Sequence, residues 1–164
     1  MKIVMAYERL TAVVDTREQR PLDLSPMSTI RKKVEVGDYT LLGLEDILTV
    51  ERKDFADLLG CMTSSRERFE KVLAKMKAYP FRCVVIEGSY GDLAKGKYRS
   101  KMNPMAAMHT ISSWTAQYQT PFMFLETPEL CSDFVKHFMH TTAYRIEKRL
   151  RSLNLVVNET RSPQ

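Results

Sequence analysis

The chain has 164 residues, of which 44% are hydrophobic and 27% are charged, values typical of a single globular domain. Its apolar runs are too short to cross a bilayer and its first residues are interrupted by charge, so we predict neither a membrane span nor a signal peptide and expect an intracellular location. The three cysteines form no CxxC pair, which indicates neither a disulfide framework nor a zinc site. The net charge of +5 favours a polyanionic partner without requiring one.

The first part of the chain is predicted to consist of short strands and loops. Residues 1–10 are interpreted as an arm or an edge strand, and residues 11–15 as a buried strand, because their side chains are apolar and β-branched. Residues 21–27 contain two prolines and are predicted to form a loop. The next two extended segments, residues 34–41 and 47–51, are predicted to pair as a hairpin.

Two helices are predicted after the hairpin. The first is expected to begin at Lys53 or Asp54 and to end at Gly60. The second follows Ser64 and Glu67, which have the spacing of a capping box, and carries an apolar stripe at helical intervals. Both helices are therefore expected to pack against the sheet.

Further strands and a basic loop are predicted in the next part of the chain. Residues 82–87 are almost all apolar, as expected of a central strand, and residues 121–125 are predicted to form another short strand. Residues 89–101 combine glycines, tyrosines and cations and are predicted to be a mobile loop that contacts a nucleic-acid backbone.

Two long helices complete the predicted fold, and each begins with a cap residue followed by proline, at Asn103 and at Thr127. The last helix is expected to extend as far as Arg151, with a polar tail at residues 153–164. The order of these elements predicts an α/β fold with a mixed central β-sheet flanked by helices, formed by one domain over residues 11–152.

The residues best suited to catalysis or metal binding lie between Gly37 and Asp57. Asp38 is followed at a distance by Glu51 and Lys53, and two carboxylates can hold Mg²⁺ or Mn²⁺ through oxygen while a lysine stabilises negative charge. Because Glu51 and Lys53 are separated by one residue, they project from the same face of a strand. The pattern predicts metal-dependent hydrolysis of phosphodiester bonds.

This stretch resembles the nuclease domain of the XPF-type structure-selective endonucleases (XPF and archaeal Hef), whose signature is GD, a variable spacer, ERK, three residues and D. The signature is complete over residues 37–57, and the resemblance extends to residues 13–18, 65–69 and 84–88. It implies a restriction-endonuclease-like core of the PD-(D/E)xK superfamily, Mg²⁺ or Mn²⁺ as cofactor, and cleavage of branched or flapped DNA in repair, recombination or replication. It also implies pairing with a second copy, so a homodimer is expected.

The resemblance also assigns roles to individual residues. Asp38, Glu51 and the backbone carbonyl of Arg52 are expected to bind the divalent ion, with Asp15 as a further ligand or as a group that positions water. Lys53 is expected to orient the attacking water or to offset charge on the phosphorane. The side chain of Arg52 is expected to organise the phosphate or the carboxylates.

Several further residues are candidates for the site or for DNA contact. Asp57 is either catalytic or structural, because a carboxylate in the first turn of a helix is favoured by the helix dipole. Glu18 and Glu87 are second-rank candidates for supporting the metal site. The residues expected to contact DNA are basic and lie near the site or in the predicted loop, namely Arg17, Arg66, Arg68, Lys95, Lys97, Arg99 and Lys101.

Other functions remain open from the sequence. A noncatalytic DNA-binding or scaffold subunit would keep the fold without the activity, although the intact acidic and lysine residues argue against it. A Holliday-junction resolvase or a restriction-type nuclease would use a related core. His137 and His140 are three residues apart, a spacing that helical metal pairs seldom use.

Overall fold

A six-stranded mixed β-sheet lies at the centre of the protein, in a computed structural model that describes the backbone of residues 6–160 and the side chains of residues 6–157. The strands are β1 (Thr11–Val14), β2 (Ser28–Arg31), β3 (Tyr39–Leu41), β4 (Leu48–Asp54), β5 (Phe81–Glu87) and β6 (Phe122–Phe124). Their spatial order is β2-β1-β3-β4-β5-β6, and β3 is antiparallel to both of its neighbours while the other pairs are parallel. The predicted α/β class with a mixed sheet is confirmed.

Helices cover both faces of the sheet. The described helices are α1 (Phe55–Met62), α2 (Arg66–Met76), α3 (Tyr90–Lys95), α4 (Pro104–Tyr118) and α5 (Pro128–Thr160). The apolar side chains of α1, α2 and α4 form one hydrophobic core with β5, and those of α5 form a second core with the opposite face of the sheet. Along β5, Val84 and Ile86 enter the first core while Cys83 and Val85 enter the second, as alternation in a doubly covered strand requires.

The strand assignments differ from the sequence prediction in three places. β4 continues to Asp54, past the predicted end at Glu51, so α1 begins at Phe55 and not at Lys53 or Asp54. β3 begins only at Tyr39, because Val34 donates its backbone N–H to the carboxylate of Asp15 and Gly37 turns the chain with a φ of +84°. The edge strand β2 was not predicted. All four of its side chains are exposed, so it lacks the apolar alternation by which a strand is recognised.

Two helix boundaries were also predicted wrongly. Helix α1 continues through Gly60 to Met62, because the two residues after the glycine are buried in the core. The N-cap of α2 is Ser65, without a side-chain cap, so the predicted capping box of Ser64 and Glu67 does not form. Glu67 instead forms an ion pair with a lysine one turn further along the helix.

The predicted loop at residues 89–101 contains the short helix α3. The hydroxyl of Ser89 accepts the backbone N–H groups of Gly91 and Asp92, and Gly96 ends the helix with a φ of +67°. A serine cap and a glycine six residues after the first helical position were both visible in the sequence. The prediction of a loop is therefore wrong for residues 90–95.

Both ends of the chain carry helix where irregular structure was expected. A 3₁₀ turn (Tyr7–Arg9) precedes β1. Helix α5 extends past Arg151 to Thr160, so most of the predicted polar tail is helical. Residues 1–5 and 161–164, where the rest of the predicted arm and tail fall, lie outside the described residues. Within the described ranges, no helix has the length and apolarity that crossing a membrane requires.

Replacing Gly37 by alanine should destabilise the protein by at least about 2 kcal/mol more than replacing Gly43. Both glycines have a positive φ, but an added Cβ at Gly37 would lie 2.2 Å from the hydroxyl oxygen of Thr49 and 2.9 Å from the carbonyl oxygen of Val50, whereas nothing lies within 4 Å at Gly43. Urea denaturation of the two variants measures the difference. Equal losses of stability would show that the hairpin does not need glycine for close approach.

Candidate active site

Glu51 and Lys53 project from the same face of β4, toward the core formed with α1 and α2, as their spacing predicts. The Nζ of Lys53 donates to Oε1 of Glu51, and the pair is largely buried. Burial disfavours the charged amine, but the adjacent Glu51 carboxylate outweighs that penalty and raises the pKa of Lys53 above its ordinary value. The same Nζ lies 5.4 Å from the centroid of the Phe69 ring. Lys53 is therefore a fixed cation at the end of the strand.

Asp38 is held between β1 and β4 by three hydrogen bonds of its own backbone and side chain. Its N–H donates to the carbonyl of Val50 and its carbonyl accepts the N–H of Asp15, each at 2.8 Å. Its Oδ2 accepts the backbone N–H of Arg52 at 2.8 Å. The position that follows Gly37 thus fixes a carboxylate beside the end of β4.

The carboxylates of Asp38 and Glu51 repel each other. Burial raises the pKa of Asp38 to about 7, and the negative charge of Glu51 adds to that effect, while the N–H of Arg52 and the charge of Lys53 oppose it. Two carboxylates that cannot comfortably ionise together are stabilised by a shared cation. This pair is the strongest electrostatic argument for a metal site in the described structure.

Asp15 is buried and its carboxylate is already occupied. Its Oδ1 accepts the backbone N–H of Arg17 at 2.8 Å and the Nε of the same residue at 2.6 Å, and its Oδ2 accepts the N–H of Val34 at 2.7 Å. Burial acts to raise the pKa of Asp15, but these hydrogen bonds outweigh it and the pKa is lowered. The geometry favours a role in holding the turn after β1. Its predicted part in metal binding stays a prediction.

The side chain of Arg52 points away from Glu51, to the opposite face of the sheet. It forms an ion pair with Glu87, lies 3.3 Å from Oε2 of Glu18, and donates to the carbonyl of Arg20. The hydroxyl of Tyr39 donates to the same oxygen of Glu18 at 3.1 Å. The structure thus places Glu18 and Glu87, the second-rank candidates, around this arginine and not beside Asp38.

Asp57 lies at the start of α1 and is exposed. Its backbone N–H donates at 2.8 Å to Oδ1 of Asp54, which is the N-cap of the helix. This cap was not predicted, although an aspartate directly before an apolar helix is the usual signal. Asp57 also lines the cavity next to Glu51 and Lys53, so both of its predicted roles remain compatible with its position.

An open cavity of about 250 Å³ lies beside Glu51 and Lys53, bounded by α1 and α2. Arg68 lines this cavity and is exposed, whereas Arg66 does not line it. The guanidinium of Arg66 instead pairs with Glu70 at 2.9 Å and lies over the Trp114 ring, 5.4 Å from its centroid. Of the two arginines predicted to contact phosphate, Arg68 is therefore the better placed.

The other predicted DNA-binding cations lie on the surface, and the side chain of one of them, Arg17, is held by an ion pair. Lys95, Lys97, Arg99 and Lys101 are all exposed, and Lys97 lies 3.4 Å from a carboxylate oxygen of Asp92. Between them, the ring of Tyr98 packs edge-on against Phe55, the first residue of α1, at 6.1 Å. The basic segment is thereby anchored near the cavity. Arg17 is mostly exposed, but its guanidinium is bound to Asp15.

The mixed sheet carries Asp38 and the Glu51-x-Lys53 pair on one hairpin, as expected of the nuclease core that the XPF-type resemblance implies. Residues 14–138 match the sequence profile of the ERCC4 domain. The match covers most of the chain, so the chain belongs to the ERCC4 domain family. The XPF-type resemblance stated from the sequence is confirmed.

Two solved structures of XPF from Aeropyrum pernix share the fold. The first has a TM-score of 0.65 at 19% sequence identity and covers 80% of this chain and 61% of that chain. The second, in complex with DNA, has a TM-score of 0.64 at 19% identity and covers 84% of this chain and 66% of that chain. This chain therefore spans somewhat less than two thirds of those proteins. No curated protein sequence matches it significantly.

Replacing Asp38 by asparagine should stabilise the metal-free protein by about 1 kcal/mol or more at pH 8 and by much less at pH 5. Because the pKa of Asp38 is raised to about 7 in the folded state, stability is lost as the pH rises from near 4 to 7, and asparagine removes that loss. The amide oxygen can still accept the N–H of Arg52. Urea denaturation in EDTA at both pH values measures the effect.

The control is Asp46→Asn, which removes an exposed carboxylate at the hairpin turn. Its effect should be small and should differ little between the two pH values. An equal gain for Asp38→Asn at pH 5 and pH 8 would show that the pKa of Asp38 is not raised in the folded protein.

Proposed function

We propose that this protein is a metal-dependent DNA endonuclease that hydrolyses phosphodiester bonds in branched or flapped DNA. The observation that carries the proposal is the buried Glu51–Lys53 ion pair beside Asp38, whose pKa is raised by burial and further by the charge of Glu51. Membership of the ERCC4 domain family supports a nuclease. The solved complex of the Aeropyrum pernix XPF with DNA supports DNA as the partner.

The donor set for the ion consists of Asp38, Glu51 and the backbone carbonyl of Arg52. The carbonyl belongs to this set because the N–H of Arg52 donates to Asp38, and in a strand the C=O of a residue points to the same side as its N–H. Among the described residues, no group of three or more His, Cys, Asp or Glu side chains could hold a metal. Two carboxylates fit Mg²⁺ or Mn²⁺, since Mg²⁺ binds through one or two carboxylates and keeps several waters.

An ion bound to these oxygens would supply an activated water and neutralise charge on the phosphate. The ammonium group of Lys53, held by Glu51, donates a hydrogen bond to the attacking water or to the oxygen on which negative charge develops. Arg68, at the edge of the cavity, pairs with a backbone phosphate. The products are a 5′-phosphate and a 3′-hydroxyl, as the XPF-type resemblance implies.

Two less specific features complete the proposal. The enzyme works as a homodimer, as the XPF-type resemblance implies and as exposed apolar side chains near the end of α5 support. Its location is intracellular, a prediction that rests on the sequence alone.

Cleavage should require Asp38, Glu51 and Lys53. Each of Asp38→Asn, Glu51→Gln and Lys53→Met should lower the cleavage rate by at least about 100-fold, because each removes a charge that faces the reacting phosphate. Binding of DNA should persist, since none of these residues lies in the exposed basic segment. The assay uses labelled duplex, 3′ and 5′ flap, fork, four-way junction and single-stranded DNA with Mg²⁺ or Mn²⁺.

Asp46→Asn serves as the matched control and should cleave as the wild type does. If the wild type binds these DNAs and cuts none of them with either ion, the protein is a noncatalytic scaffold and the nuclease proposal fails. If it cuts only four-way junctions, it is a junction resolvase.

Arg68→Ala should weaken DNA binding several-fold. It should also reduce the magnitude of the slope of log affinity against log salt concentration by about 1, as expected when one phosphate contact is lost. Arg66→Ala should leave DNA affinity unchanged but destabilise the fold, because Arg66 is engaged with Glu70 and Trp114. Fluorescence anisotropy over a range of salt, with both changes made in the Asp38→Asn background, measures the affinities. A larger loss for Arg66→Ala would reverse the assignment.

A further inference from the structure

A group of ionisable side chains lies on the face of the sheet opposite the candidate active site and takes no part in the proposed reaction. The group consists of Glu18, Tyr39, Arg52 and Glu87. The side chains of Arg52, Glu18 and Glu87 have exposed fractions of only 11%, 13% and 13%, and Tyr39 is fully buried. Taking charged groups out of water costs free energy, and a hydrophobic core alone does not need them.

The guanidinium of Arg52 is held from several directions. It forms an ion pair with Glu87, lies 3.3 Å from Oε2 of Glu18 and donates to the carbonyl of Arg20. Arginine presents its donors in a planar fork, so contacts on different edges fix the orientation of the group as well as its position. Burial acts to lower the pKa of Arg52, but the hydrogen bond to Glu87 and the nearby negative charges outweigh it and raise the pKa. Arg52 is therefore a permanent cation in a fixed orientation.

The hydroxyl of Tyr39 completes this arrangement. It accepts the backbone N–H of Leu22 at 3.0 Å and donates to Oε2 of Glu18 at 3.1 Å. Burial raises the pKa of Tyr39, and the charge of Glu18 adds to that effect, which together outweigh the opposing hydrogen bond from Leu22. The hydroxyl thus keeps its proton and stays a donor to the carboxylate oxygen that faces Arg52.

The contacts of Glu18 separate two tasks. Its Oε1 accepts the backbone N–H of Arg20 at 2.9 Å, which holds the turn after β1. Its Oε2 is shared between the hydroxyl of Tyr39 and the guanidinium of Arg52. Tyr39 therefore acts on the oxygen that is directed at Arg52 and not on the oxygen that holds the turn.

The backbone of Arg52 connects this group to the candidate site. Its N–H donates to Oδ2 of Asp38 at 2.8 Å, and its carbonyl belongs to the proposed donor set for the ion. Glu51 and Lys53 are its neighbours along β4. A guanidinium that is free to move would no longer hold the peptide groups on either side of its Cα, so the direction of that N–H and the positions of both neighbours depend on it.

We propose that Tyr39 is a positioning residue of the candidate site, whose hydroxyl holds Glu18 against Arg52 and thereby keeps the backbone of Arg52 directed at Asp38. Tyr39 acts on the site through Arg52 alone. The inference rests on the proposed function only for its effect on the metal, because the hydrogen bonds that hold Arg52 are present in the protein without metal.

The test compares Tyr39→Phe with Tyr118→Phe in the full chain. Each change removes one hydroxyl and keeps a buried ring. Tyr118 is the matched control because its ring lies in the other hydrophobic core and its hydroxyl accepts the side-chain amide of Gln117 at 3.3 Å. Circular dichroism and urea denaturation check that both variants fold.

Two measurements need no cleavage. Amide hydrogen exchange by NMR, in the protein without metal, compares the N–H of Arg52 with that of Val84, which donates to the carbonyl of Pro121 at 2.9 Å in another part of the sheet. The ratio of the two rates removes any general loss of stability. Calorimetric titration with Mn²⁺ alone measures the metal affinity.

Tyr39→Phe should speed exchange at Arg52 by at least about 10-fold relative to Val84, because a local support is lost. It should also raise the Kd for Mn²⁺ by about 10-fold, as expected of a residue that orients metal ligands. Tyr118→Phe should change neither quantity. An unchanged exchange ratio in Tyr39→Phe would overturn the inference, and so would an equal change in both variants.

The route through Arg52 is tested by adding Tyr39→Phe to Arg52→Met. The added change should alter the Kd for Mn²⁺ by less than about twofold, because the group on which Tyr39 acts is already absent. Arg52→Lys, which keeps the charge but lacks the fork, replaces Arg52→Met if that variant does not fold. A further loss as large as that in the wild-type background would overturn this route.

Failure of the proposed function gives a different result. A wild type that neither binds Mn²⁺ nor cuts DNA would overturn that function and the effect of Tyr39 on the metal with it. Exchange at Arg52 would still decide whether Tyr39 holds the strand. A wild type that binds Mn²⁺ and cuts DNA, with exchange at Arg52 unchanged in Tyr39→Phe, would overturn the role of Tyr39 alone.

Discussion

The carboxylate of Glu51 lies between a cation that it binds and an anion that it repels, and the candidate site depends on that position. Its ion pair with Lys53 keeps the amine charged although it is buried. Burial raises the pKa of Asp38 to about 7, and repulsion by Glu51 adds to that effect, so a divalent cation bound to both carboxylates would favour their ionised forms. The site therefore combines a charged lysine that can interact with phosphate and two oxygen donors that could share a divalent ion.

Successive side chains of β4 point to opposite faces of the sheet, which places the reactive groups on one face and the residues that hold the strand in position on the other. Glu51 and Lys53 face the cavity between α1 and α2, while Arg52, between them in sequence, faces α5 and is clamped by Glu18 and Glu87. The backbone of Arg52 joins the two faces, since its N–H donates to Asp38. One strand thus presents the reactive groups on one side and fixes their position from the other.

The reactive residues could be predicted because their relation is local. Asp38 follows a glycine that allows the chain to approach β4 closely, and Glu51 and Lys53 share a face through the two-residue period of a strand. The helices with strong caps and apolar stripes were also recognised, as α4 illustrates with Asn103 as its cap. In each case the determining contacts lie within a few residues or within one hairpin.

What could not be predicted depends on contacts between distant parts of the chain. The carboxylate of Asp15 accepts the N–H of Val34, and Arg52 forms an ion pair with Glu87. In both cases the two partners lie far apart in the sequence, and no local pattern links them. The edge strand β2 pairs with β1 through the backbone and carries no apolar alternation. The different surroundings of Arg66 and Arg68 follow from the position of α4, which provides Trp114 beside only the former.

The most direct test of the account is the titration of Asp38 in the metal-free protein, followed by NMR of its carboxyl carbon. We expect Asp38 to titrate at about 7 in the wild type and at a clearly lower pH in Glu51→Gln, because the glutamine removes the repelling charge. If Asp38 titrates near pH 4 in both proteins, the two carboxylates are not coupled, and the argument for a shared metal ion at this site fails.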